Sequence, residues 1–467
     1  MRHRQRRGSC LGAALISSLL LAACGGSHQP THTDHRHEIT HHLSSPPNAT
    51  VTVTDRQRQP IDGWGISVVG DTEHNPLVVP RLPASEVGRL DRLVFEQAGV
   101  NLVRVFGPGY GSQLQTGDFR PRLTDRRFAF MRRVRPYGVR FMLTGADAPA
   151  SLRAGTAAQG GGLATDADRA YADYLFSLIR FARERAGVPF DYAAIGNEPD
   201  NGRSLLTLHA RQAAQVYQLL AERLQSAGSP TRLVIGDNTT WGATLGYATE
   251  ALAQPAVSAS AAAIASHSYG GSSEEMRAVA KLARSHGLPV WQTEWGTGCI
   301  GCPDDDSMDT ALRWSTEIAA ALVQGQASAW FAFKGVALSS HGPADGLIVR
   351  TEGGPEPFHT TKRFDVFRQY SSVAPPGSHR LDTQVSSDRV LAVAFQSGKG
   401  MAVVLSNLAP QTTILSLDLG SRSGPLSGRR TDSHARFQPI QVMTYAGGPL
   451  NLTLPAKSVT TLTLQKD

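Results

Sequence analysis

The stretch Tyr192-Ala193-Ala194-Ile195-Gly196-Asn197-Glu198-Pro199-Asp200 decides how the chain is read. A short apolar run stops at a glycine and then delivers an amide, a carboxyl group and a proline. A run of that kind, closed by Gly and Pro, reads as a buried strand with a turn behind it. Parallel strands are covered on both faces and are apolar throughout, and in closed α/β barrels the reactive groups stand at their C-terminal ends. The pattern returns downstream in Leu288-Pro289-Val290-Trp291-Gln292-Thr293-Glu294-Trp295-Gly296, where an apolar run again ends in a carboxyl group, with glycine close behind.

Eight strand candidates precede Phe364: 65–69, 100–106, 139–144, 192–195, 232–235, 261–266, 290–293 and 329–333. Helical stretches at 84–97, 167–185, 210–226, 273–286 and 308–325 lie between most of them and carry apolar residues at three- and four-residue spacing. The Ser-Ser-Glu-Glu run opening the fourth of these is a helix start, since hydroxyl and carboxylate oxygens satisfy free amides there. Alternation at this count predicts an α/β fold, a (β/α)8 TIM barrel rather than a doubly wound sheet. Gly107-Pro108-Gly109-Tyr110-Gly111 follows the second strand and contains proline, which makes it a poor dinucleotide-binding turn. After Pro375 the pattern changes to short β-branched runs at 389–394, 401–405, 413–417, 440–445 and 459–464, which predict an appended antiparallel β-sandwich.

The 467 residues, 41% hydrophobic, suffice for a barrel with an appendage and a sizeable core. Arg2, Arg4, Arg6 and Arg7 contribute much of the net charge of +7; without them the balance is mild and predicts no nucleic-acid partner. The basic start leads into an apolar run, 11–21, too short for a membrane span. Leu21-Ala22-Ala23-Cys24-Gly25 resembles the bacterial lipobox, which implies cleavage before Cys24 and a lipid on its thiol. Residues 25–50 are polar, rich in His, Ser and Pro, and read as a tether. Cys299 and Cys302 are either a local disulfide or half of a zinc site; no second Cys pair accompanies them. Asp304-Asp305-Asp306 behind them is either solvated or a calcium site.

Two carboxyl groups at two strand ends of one barrel are what glycoside hydrolysis requires. Asn197-Glu198-Pro199 resembles the acid/base motif of the retaining (β/α)8 glycosidase superfamily, and Glu294 in Thr293-Glu294-Trp295 resembles its nucleophile. Ile61-Asp62-Gly63-Trp64-Gly65 and the run from Phe364 to Gly377 are most similar to the opening and closing motifs of glycoside hydrolase family 30. The resemblance implies that an N-terminal strand, 51–60, joins the β-domain, that the barrel spans 61–372 and that the sandwich spans 373–467. It implies that Glu198 protonates the leaving oxygen while Glu294 attacks the sugar, that Asn197 bonds the 2-hydroxyl, and that Arg104 contacts the nucleophile. His267 or Tyr269 would hold Glu294 in place. An acid working near neutral pH calls for a raised pKa at Glu198.

Trp64, Trp241, Trp295 and Trp330 stand at or near strand ends and are either sugar-stacking faces or core; Trp330 is the candidate for the subsite floor. Where family 30 commonly has a Ser-Pro-Trp-Ser-x-Pro segment, Thr144-Gly145-Ala146-Asp147-Ala148-Pro149-Ala150 lacks the tryptophan and brings in Asp147, a candidate sugar contact. The expectation is an exported, lipid-anchored, monomeric retaining β-glycosidase that needs no cofactor or metal and acts on a β-linked carbohydrate. Its rivals are a carbohydrate-binding lipoprotein without catalysis, and a related glycosidase acting on glucuronides.

Overall fold

The computed structural model describes residues 46–69, 75–78, 80–107, 125–154, 161–202, 206–297, 305–339, 346–351 and 356–465. The expected leader, residues 25–45 of the expected tether, Cys24, Cys299, Cys302 and Asp304 lie outside them, while Ala49 and Thr50 at the end of that tether already belong to the first strand.

The chain enters through a long strand, β1 (Ala49–Pro60). Eight parallel strands then close into a barrel: β2 (Gly63–Val68), β3 (Leu102–Phe106), β4 (Arg140–Thr144), β5 (Tyr192–Ala194), β6 (Arg232–Asn238), β7 (Ala261–His267), β8 (Val290–Trp295) and β9 (Ala327–Ala332). Helices α1 (Ala84–Asp91), α2 (Arg126–Val134), α3 (Asp168–Glu184), α4 (Ala210–Ser226), α5 (Trp241–Leu252), α6 (Pro255–Ser260), α7 (Ser273–Ser285) and α8 (Met308–Val323) fall between the strands. All eight strands predicted from the sequence are present, because both faces of each are covered and their apolar runs are unbroken. Helix α7 starts with a capping box in which Ser272 and Glu275 satisfy each other's backbone amides.

Alternation along the strands divides two apolar layers. Leu102, Met142, Ala194, Val234, Ala263, Ala265, Trp291, Ala329 and Phe331 fill the barrel interior. Trp64, Val103, Phe141, Ile195, Ile235, Ile264 and Trp330 belong to the outer layer beneath the helices. Gly65 faces inward, where a Cβ would lie 2.2 Å from the Phe331 ring, so the glycine of the opening motif is room for that ring.

Three short strands, β10 (Val336–Leu338), β11 (Ile348–Arg350) and β12 (Phe358–Thr360), form a small sheet before α9 (Lys362–Ser371). Helix α9 joins the barrel to the appended domain. Phe367 meets Trp64 edge-on at 5.5 Å. Tyr370 OH lies 2.6 Å from Ser315 Oγ on α8, which lies 2.7 Å from Ser406 Oγ. Gln369 Nε2 donates to Thr431 Oγ1 at 3.0 Å.

The appended domain comprises β13 (His379–Val385), β14 (Val390–Ser397), β15 (Gly400–Asn407), β16 (Thr413–Asp418), β17 (Gly424–Thr431), β18 (Gln438–Tyr445), β19 (Leu450–Leu454) and β20 (Ser458–Gln465), with β1. They form one nine-stranded sheet ordered β18-β17-β20-β15-β14-β13-β1-β16-β19. Strands from both ends of that order feed one apolar core, and Tyr445 OH on the edge strand β18 accepts from Leu419 N beyond β16, so the sheet curls over itself as a sandwich. Most pairings are antiparallel; β1 with β16 is parallel.

Gly65→Ala is expected to cost about 1–3 kcal/mol in urea unfolding, the usual penalty for overpacking. Adding Phe331→Leu should recover part of it, and additive losses would mean the two do not share that space.

Candidate active site

Glu198 and Glu294 converge at the C-terminal end of the barrel. Glu294 is the penultimate residue of β8, and its main-chain oxygen accepts from Ser268 N at 3.2 Å. Glu198 follows β5 in a left-handed conformation, φ 48°, held by its own N–H donating to Asp237 O at 2.9 Å. Such a conformation in a non-glycine residue persists only where its surroundings hold it, and it aims the carboxyl group inward. Oxygens of Glu198 and Glu294, with one nitrogen of His267, all lie within 4.8 Å of one another.

Arg104 on β3 is fully buried and ties the site together. Its Nη1 donates to Glu294 Oε2 at 2.6 Å and its Nη2 to Asn197 Oδ1 at 2.6 Å. Nη2 and Nε also donate to Asp237 Oδ2, at 2.7 and 3.1 Å. Burial works against its charge, but Asp237 and then Glu294 outweigh it and hold its pKa above the ordinary value. Asp237 is equally buried, yet Arg104 and then His267 keep its carboxyl group well below the usual range. Thr144 and Thr293 hydroxyls donate to its two oxygens.

His267, the last residue of β7, stands between two carboxylates. Nδ1 faces Glu198 Oε1 at 3.0 Å and Nε2 faces Asp237 Oδ1 at 3.3 Å. Burial lowers its pKa, but Glu294, Asp237 and Glu198 together push it up to about 9. The imidazolium then donates from both nitrogens, and its 3.3 Å approach to Arg104 Nη2 is a contact of two cations bridged by Asp237. The three converging groups are close enough to surround a cation, but an imidazolium has no lone pair for a metal. Tyr269 donates its hydroxyl to Glu294 Oε1 at 3.0 Å while its ring is 37% exposed in the cleft. Of the two residues considered for holding Glu294, it is Tyr269 that bonds it; His267 bonds Glu198 instead.

Several expectations are corrected. The Glu198 pKa is not raised: burial pushes it up, but the hydrogen bond and charge of His267, then Asn201 and Arg104, bring it below the ordinary value. Trp330 is no subsite floor, because it points outward and packs on Trp314 and Phe367 at 5.6 and 6.1 Å. Trp295 lies against Trp314 at 5.5 Å in the same layer. Trp241 is fully buried at the start of α5, its Nε1 donating to Ser268 Oγ at 3.2 Å. Trp64 donates to Ala374 O at 2.8 Å in the outer layer. Asp147 is fully buried, accepting from Ala148 N at 2.8 Å and from Arg153 Nη1 at 3.2 Å, so it anchors its loop rather than meeting a sugar. Asp305 and Asp306 cap and pair: Asp305 accepts from Ser307 N, and Asp306 accepts from Lys362 N and forms an ion pair with Arg436. Asp237 went unrecognised, although Val234-Ile235-Gly236-Asp237 repeats the punctuation of an apolar run, a glycine and a carboxyl group.

Residues 186–358, which include both carboxylates, match the family described as "Glycosyl hydrolase catalytic core". Over that stretch the chain is similar to a glycosyl hydrolase core. Its fold is that of the catalytic domain of a GH30 xylanase C from Talaromyces cellulolyticus, at 22% identity and TM-score 0.70, covering 89% of this chain and 100% of that one. A GH30 endoxylanase from Clostridium papyrosolvens C71 is similar at 18% identity and TM-score 0.70, covering 90% and 100%. A solved endo-β1,6-glucanase is similar at 17% identity and TM-score 0.68, covering 90% and 94%. No curated protein sequence matches the chain.

The stability of the fold should show the charge state of His267. Its folded pKa of about 9 exceeds the ordinary 6.5, so its contribution is complete below pH 6.5 and lost as pH rises through about 9. Calorimetric unfolding midpoints of the wild type are expected to fall across that window. In His267→Gln the fall should be smaller, and an unchanged fall would place the titration elsewhere.

Proposed function

We propose that the protein is an exported retaining β-glycosidase that hydrolyses a β-linked poly- or oligosaccharide by double displacement. The observation that carries this reading is the approach of Glu198 and Glu294 oxygens to within 4.8 Å. Retaining enzymes hold their carboxyl groups about 5–5.5 Å apart, whereas inverting enzymes leave about 6.5–9.5 Å for a water.

In the first step Glu294, held by Arg104 and Tyr269, attacks the anomeric carbon. The bond to the aglycone oxygen breaks, and that oxygen takes a proton from Glu198. At neutral pH the Glu198–His267 pair carries one proton between the two groups, resting on the imidazole in the free enzyme. A sugar filling the cleft expels water and favours the neutral carboxyl group, so Glu198 takes up a proton from solvent on its open side as the sugar binds. In the second step water attacks the glycosyl–Glu294 ester, Glu198 accepts its proton, and the carboxylate of Glu294 is released. Asn197, fixed by Arg104, is placed to bond the 2-hydroxyl.

Xylan and β-1,6-glucan, the substrates named for similar folds, head the panel to be tested. Export and a lipid on Cys24 rest on the N-terminal sequence, and loss of fatty-acid labelling in Cys24→Ser tests them. A screen of aryl β-glycosides, glucuronides included, is expected to give one clear activity with retained configuration by NMR. Glu294→Gln should reduce it to background with circular dichroism unchanged. Inverted product, or full activity in that variant, would reject the mechanism. Polysaccharide binding without hydrolysis would favour a carbohydrate-binding protein.

A further inference from the structure

Glu198 is followed by a tight turn, Glu198-Pro199-Asp200-Asn201, closed by Asn201 N donating to Glu198 O at 2.8 Å. The turn is pinned from outside. Asp200 Oδ1 accepts from Asn238 Nδ2 and from Thr239 N, both at 3.0 Å, and Pro199 O accepts from Leu208 N at 2.9 Å. Asn201 is thereby fixed beside the carboxyl group three residues before it, and its Nδ2 donates to Glu198 Oε2 at 2.9 Å. The other oxygen, Oε1, faces His267 Nδ1 at 3.0 Å. Both oxygens of the acid/base therefore accept hydrogen bonds. The His267 side is fully buried, while Asn201 is only half-buried, so a leaving group reaches the carboxyl group from the Oε2 side.

An oxygen that accepts from an amide is in the right state for a base and the wrong state for an acid. We propose that Asn201 is a positioning residue that latches Glu198 in its ionised form and must let go of Oε2 before Glu198 can hand a proton to a leaving oxygen. This rests on the retaining-glycosidase reading for its kinetic consequences, not for the hydrogen bond itself. Asn201 acts through Glu198 and does not touch the sugar. The latch assists the second step, where Glu198 must accept a proton, and opposes the first.

The charged groups around Glu198 are His267 from β7 and Arg104 from β3, which favour its ionised form, Glu294 from β8 and Asp237 from β6, which oppose it, and Asp200 within the turn. Changing Asn201 leaves all of these in place. Removing a donor from a carboxylate raises its pKa, and replacing the donor with another carboxylate raises it further.

The test is a carboxyl titration of Glu198 by infrared difference spectroscopy against Glu198→Gln, in the wild type, Asn201→Ala, Asn201→Asp and Asn201→Ser. The midpoint is expected to move to higher pH in Asn201→Ala, further in Asn201→Asp, and least in Asn201→Ser, which keeps a donor. An unmoved midpoint in folded Asn201→Ala and Asn201→Asp overturns the proposal. A moved midpoint sustains the latch even if no glycoside is cleaved, so the two readings fail separately. With activity in hand, the acid limb of kcat on dinitrophenyl glycosides, limited by the base-assisted second step, should move to higher pH in Asn201→Ala, with kcat at neutral pH little changed. On the same variant, kcat/KM for poor leaving groups, which need the acid, should rise relative to dinitrophenyl substrates. Equal losses on both substrate types would reduce Asn201 to a structural role and overturn the proposal.

Discussion

The site depends on one buried cation. Arg104 has no access to water, and moving such an ion out of water costs several kcal/mol unless every donor finds an oxygen of the right charge. Glu294, Asp237, Asn197 and Ser67 supply those oxygens from β8, β6, the loop after β5, and β2. The guanidinium satisfies them only if these elements and β3 are in register. Asp237 then passes the constraint on to His267, and His267 to Glu198. The distance between the two catalytic candidates is thus set by an ion pair neither of them forms alone, and taking away one partner would strand a charge at a cost of about 3–5 kcal/mol.

That arrangement separates the two carboxyl groups chemically as well as spatially. Glu294 is held by Arg104 and a tyrosine hydroxyl, one donor on each of its oxygens. Glu198 faces an imidazolium, which lets the pair store a proton that the carboxyl group by itself would shed. Different neighbours, rather than different residue types, give the two glutamates different work.

The barrel was legible because its signal is local. Eight apolar runs punctuated by Gly, Pro and polar residues survive intact in a sheet covered on both sides. Helix α2 was not anticipated because one position of its buried stripe, Arg127, is charged, and α5 because Gly242 and Gly246 interrupt its pattern. Strands β13 and β17 were missed because polar residues break their apolar pattern, and β19 although Leu450, Leu452 and Leu454 alternate with polar residues. Glu198 and Glu294 were found because their punctuation is distinctive, and Asp237 carried the same mark unnoticed. What no local pattern conveys is the direction of a side chain. Trp330 sits between Ala329 and Phe331, both inward, and parity alone sends it to the opposite face. The lowered pKa of Glu198 was equally hidden, since His267 is its neighbour only after the barrel closes.

Strand β1 has a consequence for how the molecule is made. Val51 pairs with Val385 on one side and Leu417 on the other, partners that emerge from the ribosome long after it does. While the barrel is being synthesised, Val51 and Val53 have no sandwich core to enter, and the small domain closes only when its last strands arrive. Strand β1 is therefore among the last segments to become native. Growth from one end to the other leaves an apolar strand waiting in the open, which is where a chaperone would find most to hold.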